Sequence, residues 1–179
     1  MQSTITVFGS SRPKFGDEEY LIAYELGRRL AQEGYVICNG GYGGTMEASA
    51  YGAKEGGGKS VGVVCDRFGD TANRYITETI HVQTHSERLH KLIELGDAYV
   101  ILKGSTGTLV ELALVWEYMN KSIIPVKPII VVGEFWKAVI ETLDTEFMFE
   151  GRRSASTFVS SVEGIESCLS KLKEKGSLR

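Results

Sequence analysis

A chain of 179 residues with a formal net charge of -3 suits a single domain spanning residues 1–179, large enough to bury a core without cross-links. That charge gives no electrostatic reason to expect nucleic acid or an anionic membrane as partner, and no apolar run is long enough to span a bilayer. Cys38, Cys65 and Cys168 show no paired spacing, and the first residues form a strand pattern without a basic leader, so a soluble cytoplasmic protein is expected.

In chain order, Thr4 to Phe8 is a short β-rich run ending at Gly9-Ser10-Ser11. Helical spacing follows from Asp17 to Glu33, with Leu21, Ala23, Tyr24, Leu26 and Leu30 supplying the apolar face and Gly34 closing it. Tyr35 to Cys38 reads as a strand, Thr45 to Lys54 as a helix ended by Gly56-Gly57-Gly58, and Val61 to Cys65 as a third strand. Asp66 to Thr79 is polar and irregular, a loop near the site, with a short strand expected over His81 to Gln83. Thr84-His85-Ser86-Glu87 has the T-x-x-E form of a capping box and starts a helix through Leu95. Ala98 to Leu102 is a strand, Thr108 to Asn120 a helix, Pro128 to Val132 a strand and Glu134 to Thr145 a helix. A weaker strand near Phe158 and a helix from Glu163 to Lys175 complete the pattern. Continuous apolar strands alternating with helices predict an α/β fold: a Rossmann-like doubly wound, mostly parallel sheet with helices on both faces.

Two glycine-threonine turns stand where strands give way to helices, Gly40-Gly41-Tyr42-Gly43-Gly44-Thr45 and Gly104-Ser105-Thr106-Gly107-Thr108. Backbone N–H groups and the positive end of a helix dipole converge at such turns, which is the geometry that binds phosphate. In a parallel sheet both would open at the carboxyl edge and face one crevice. Gly9, Ser10, Ser11, Gly41, Gly43, Gly44, Thr45, Gly104, Ser105, Thr106, Gly107 and Thr108 are therefore the expected phosphate- and nucleotide-binding residues, although turn chemistry accounts for the two serines equally well.

Other motifs fail on inspection. Gly58-Lys59-Ser60 runs from helix into strand, opposite to a P-loop. The first strand is followed by Gly9-Ser10-Ser11-Arg12 rather than G-x-G-x-x-G, which argues against a dinucleotide. His81, His85 and His90 lack metal-ligand spacing, so no metal and no cofactor are expected. Among groups able to do chemistry, Thr108-Leu109-Val110-Glu111 also has the capping-box form, and spacing alone leaves cap and catalysis open for Glu111. Arg88 lies in line with Leu92 and Leu95, at the edge of its helix's apolar face, where a solvated arginine is the ordinary outcome. Glu47 sits in the first turn of its helix, where negative charge is favoured in any case.

Taken together these segments resemble the LOG family, phosphoribohydrolases that release free cytokinin from its riboside 5'-monophosphate and are often mislabelled lysine decarboxylases. Val7-Phe8-Gly9-Ser10-Ser11 is similar to the family's V-F-x-G-S-S with one residue fewer, and Gly40 to Met46 to its G-G-G-x-x-G-x-M turn. His85-Ser86-Glu87-Arg88-Leu89 resembles M-H-E-R-K, and Lys103 to Glu111 resembles P-G-G-x-G-T-x-x-E. Lys103, Ser105, Leu89 and Glu47 depart from the pattern, so the resemblance is to a divergent branch and the cytokinin substrate does not follow. The resemblance implies Arg88 and Glu111 as catalytic residues, a nucleotide-like small-molecule ligand, and a homodimer or higher homo-oligomer. It implies hydrolysis of the N-glycosidic bond of a nucleoside 5'-monophosphate to free base and ribose 5-phosphate. The alternative is a non-catalytic carrier of a nucleotide or of molybdenum cofactor on the same fold. Lysine decarboxylation is excluded chemically, because it needs an electron sink such as a pyridoxal Schiff base and no lysine here sits in such a setting.

Overall fold

The computed structural model describes residues 2–69 and 71–174. The strands are β1 (Thr4–Phe8), β2 (Val36–Asn39), β3 (Ser60–Cys65), β4 (Glu78–Val82), β5 (Ala98–Ile101), β6 (Ile129–Val132) and β7 (Val159–Val162). They alternate with helices α1 (Glu18–Gln32), α2 (Thr45–Glu55), α3 (His85–Leu95), α4 (Thr106–Asn120), α5 (Lys137–Phe149) and α6 (Ile165–Glu174); among the described residues no α-helix lies between β3 and β4. The seven strands form one sheet in the order β4-β3-β2-β1-β5-β6-β7. Every pairing is parallel, which makes the doubly wound α/β architecture complete.

The central strands read as continuous apolar runs because both of their faces are covered. Ile5, Val7, Val100 and Ile130 pack with Leu26 and Leu30 of α1, Ala48 of α2 and Leu169 of α6 on one side. The intervening residues Phe8, Tyr99, Ile101 and Val131 pack on the other side with Leu92 of α3, Leu112 and Trp116 of α4, and Ile140 of α5. The chain first lays its strands outward from β1 to β4, then returns to place β5 against β1 and continues to β7. The direction reverses between β1 and β5, and at such a reversal the flanking loops splay apart into a crevice beyond the carboxyl ends.

Three local features differ from expectation. The edge strand β4 begins at Glu78, three residues before the predicted start. Its exposed and half-exposed residues carry little hydrophobic signal. The helix expected from Glu134 is displaced to α5, because Trp136 is buried and its Nε1–H donates to the Leu102 carbonyl at 2.9 Å, holding residues 133–136 in a turn. The capping box at Thr84 and Glu87 is present. The second one, at Thr108 and Glu111, is not: α4 starts at Thr106 with Ser105 as its N-cap, so both residues are helix interior.

Candidate functional site

A cavity of about 520 Å³ opens at the reversal point. It is lined by Gly9, Ser10, Ser11 and Arg12 after β1, Tyr42 and Met46 after β2, and Phe68 after β3. His85 and Arg88 of α3 and Ser105, Gly107, Thr108 and Glu111 at the start of α4 complete it.

The two glycine turns are built differently. Buried Asn39 closes β2 and wires the first, accepting from the Gly41 N–H at 2.8 Å and donating to the Met46 carbonyl at 2.9 Å. The Thr45 N–H and Oγ1 both donate to the Ser10 carbonyl, at 2.9 and 3.0 Å. The loop after β1 thus docks onto the start of α2, and Gly44 permits it. With φ of +69°, it sits where a Cβ would lie 2.3 Å from that same carbonyl. Gly41, Gly43, Gly44 and Thr45 consequently shape the floor under Ser10 and Ser11 and do not line the cavity themselves.

The second turn is open. Ser105 makes no side-chain cap, and the first intrahelical bond is from the Leu109 N–H to the Ser105 carbonyl. Among the described residues no acceptor outside α4 meets the N–H groups of Thr106, Gly107 and Thr108, so the positive end of α4 presents unused donors beside the cavity. Thr108 folds back beneath the turn, where a Cβ at Gly104 would meet its Oγ1 at 2.2 Å.

Arg88 is only 6% exposed. Its Nε–H donates to the Val63 carbonyl at 2.9 Å, Nη2 lies 3.7 Å from the Met46 sulfur, and the guanidinium is 5.4 Å from the centre of the Tyr42 ring. Gly40 makes room for it, because a Cβ there would lie 1.5 Å from Nη2. No carboxylate among the described residues forms an ion pair with Arg88. A buried cation without a counter-ion is costly, and most of its five N–H donors remain for a ligand's oxygens. Half-buried Glu111 projects into the same cavity. Burial pushes its carboxyl up to about 7, and the Arg88 charge opposes that rise without cancelling it. A carboxylate that changes charge near neutrality beside an arginine is equipped to orient water and to face developing positive charge.

Sequence reasoning missed Tyr42, Met46, Phe68 and His85 as lining residues. They come from three separate segments, and only the sheet order brings them together. Lys103 turns away from the cavity to pair with Glu19 at 2.6 Å. Glu47 lies outside the lining as well. A second groove of about 500 Å³ lies between α1, α6 and the ends of β5 and β6, floored by Ile22, Leu102, Val132 and Phe135. It contains neither Arg88 nor Glu111, and most of its carboxylates are ion-paired with neighbouring cations. Among the described residues no cluster of His, Cys, Asp or Glu is arranged to hold a metal, and no helix is long and apolar enough to cross a membrane.

Comparison with known proteins agrees with this architecture. An uncharacterized protein of Archaeoglobus fulgidus is 35% identical over 116 residues, covering 65% of this chain and 76% of its own. The cytokinin riboside 5'-monophosphate phosphoribohydrolase of Rhodococcoides fascians is 31% identical over 123 residues, 65% of this chain, and the match spans 62% of that enzyme's length. In structure, the molybdenum cofactor carrier protein of Chlamydomonas reinhardtii superposes with a TM-score of 0.79 at 20% identity, over 97% of this chain and 98% of its own, a likeness of fold. The LOG-like motifs are matched at the family level too. The SLOG cluster4 family model aligns with residues 2–163, and the chain belongs to that family.

Proposed function

We propose that this protein hydrolyses the N-glycosidic bond of a nucleoside 5'-monophosphate, releasing the base and ribose 5-phosphate. The observation that carries the reading is the pairing of Glu111 and unpaired Arg88 in one cavity with the open N-terminus of α4. The 5'-phosphate would lie on the N–H groups of Thr106 to Thr108 and the hydroxyl of Ser105, with Ser10 and Ser11 beside them. The phosphate grip would then position the ribose against Glu111. As the C1'–N bond breaks, its electron pair leaves with the base and positive charge develops on the sugar, which a Glu111 carboxylate stabilises. Glu111 would also orient the water that adds to C1' and accept its proton, while the departing base takes up a proton from solvent or a neighbouring donor. Arg88 would hold ribose or phosphate oxygens through its free N–H groups.

The same geometry favours a homodimer. Helix α4 is apolar on nearly all sides. Leu112, Val115, Trp116 and Met119 face the core, whereas Leu109, Val110 and Ala113 on the other side are exposed. An all-round apolar helix calls for a cover on its outer face.

A second reading is a non-catalytic carrier of a nucleotide or of molybdenum cofactor. It is favoured by the reshaped start of the second turn, where Lys103 is tied to Glu19 instead of supporting the phosphate loop. One experiment separates the two: incubation of pure protein with a panel of nucleoside monophosphates and the matching nucleosides, followed by chromatography for free base. The expected result is base release from monophosphates that disappears in Arg88→Ala and Glu111→Gln. Tight binding without any release would support the carrier.

A further inference from the structure

Phe68 is out of place for a large apolar residue. It is 53% exposed, belongs to neither side of the core, and lines a cavity whose only other wholly apolar side chain is Met46, among the described residues. Its position is held by the backbone. The turn of 3-10 helix at Asp66–Phe68 follows β3 directly and is closed by a bridge between Cys65 and Gly69. The Tyr42 hydroxyl accepts from the Cys65 N–H at 2.8 Å and lies 3.0 and 2.8 Å from the carbonyls of Cys65 and Gly69. The Tyr42 ring meets Phe68 edge to face, with centroids 6.3 Å apart and planes at 89°, while Arg88 covers the Tyr42 ring at 5.4 Å. His85 also meets Phe68 edge to face, with centroids 5.3 Å apart and planes at 80°. A turn with this many fixed contacts presenting a half-exposed ring to the cavity is arranged to stack something on it.

Sheet order says what. The ends of β3, β2, β1 and β5 are adjacent, so Phe68 lies at one end of the cavity and the donors of Ser105 to Thr108 at the other. Three inter-strand steps separate strands β3 and β5 by about 14 Å. A ligand spanning them carries an anion at the β5 end and a planar ring at the β3 end, with Arg88 and Glu111 between. We infer that Phe68, braced by Tyr42 and flanked by His85, is the stacking surface for the purine-sized heteroaromatic ring of the ligand. This assignment rests on the reading that a nucleoside 5'-monophosphate fills the cavity. Tyr42 acts through Phe68 and is a positioning residue; Phe68 touches the ring.

The test uses calorimetric binding of two probes, AMP and ribose 5-phosphate, to the Glu111→Gln protein, so that binding is read without turnover. The ring is expected to improve binding on the order of tenfold or more over ribose 5-phosphate, the usual worth of a stacked base. Phe68→Ala should remove most of that gain and leave ribose 5-phosphate binding unchanged, and Phe68→Trp should keep it. Equal binding of the two probes to the parent, or a proportional loss of both in Phe68→Ala, would overturn the assignment. The hydrolase reading fails separately. If the Glu111-bearing protein binds AMP with this Phe68 dependence but does not cleave it, the stacking surface stands and the hydrolase does not. If it cleaves AMP while the ring adds nothing to affinity, the outcome is reversed.

Discussion

At the scale of single residues, Glu111 sets the pH behaviour. Its carboxyl titrates at about 7 in the folded protein because burial disfavours the charge. Arg88, His85 and Arg12 share its cavity, and of these the Arg88 charge opposes the rise. If the carboxylate is the working form, turnover should climb as pH passes through about 7 and level off above it. Stability should move the other way. A folded value above the unfolded one means that the native state holds the extra proton, so its advantage is complete below the unfolded value and disappears as pH rises through 7. Glu111→Gln should therefore match the parent in urea melts at pH 4 and exceed it at pH 8, by on the order of 3 kcal/mol. An equal difference at both pH values would mean that the charge carries no burial cost. Glu111 and Arg88, which both line the cavity, are singled out by the short contiguous motifs that carry the family resemblance; spacing alone leaves Glu111 open and reads Arg88 as solvated, whereas it is buried. Phe68 and Tyr42 are not singled out, because their meeting depends on β3 lying next to β2. The donors of the second glycine turn are legible in the sequence, but the helix start is not: T-x-x-E at Thr108 reads as a helix start, while α4 begins two residues earlier at Thr106.

At the scale of elements, α1 and α2 pack so closely that backbone meets backbone. A Cβ on Gly27 would lie 2.1 Å from the Ser49 carbonyl oxygen, and one on Gly52 would lie 1.9 Å from that of Tyr24. In an isolated helix Gly→Ala stabilises by about 1 kcal/mol. Here the added methyl must push the helices away from each other, so Gly52→Ala should destabilise by about 1–3 kcal/mol in chemical denaturation. Gly107→Ala in α4, where nothing lies within 4 Å of the new carbon, is the control and should be neutral or mildly stabilising. A neutral Gly52→Ala would mean that the helices have slack. This contact matters to the site because the same α2 carries Thr45, whose two bonds to the Ser10 carbonyl seat the loop after β1. The alternation of strands and helices was legible throughout, since the buried strands are apolar runs and the α3 capping box is local chemistry. What escaped was set at a distance: the exposed edge of β4, and the shift of α5 by a tryptophan bonded to Leu102.

At the scale of the whole molecule, α4 belongs both to the site and to the surface. Its first turn offers donors to the cavity and its sixth residue is Glu111, while Leu109, Val110 and Ala113 stand exposed on its outer side. Beyond its end, Ile123 and Val126 are also exposed, at 62% and 55%. A helix that is apolar on its outer side gains by covering, and a second copy offering the same helix would supply a self-complementary face. Val110 and Ala113 are three residues apart and share that face. Changing both to glutamate places two charges at the contact of each copy and, by symmetry, brings like charges together across it. Sedimentation velocity should then show the parent as a dimer and the double variant as a monomer with unchanged circular dichroism. A parent that sediments as a monomer would end the dimer reading, and a double variant that stays dimeric would move the interface off α4. Because Glu111 directly follows Val110, a monomeric variant that keeps its fold but loses base release would show that the cover on α4 also helps hold the carboxylate in place.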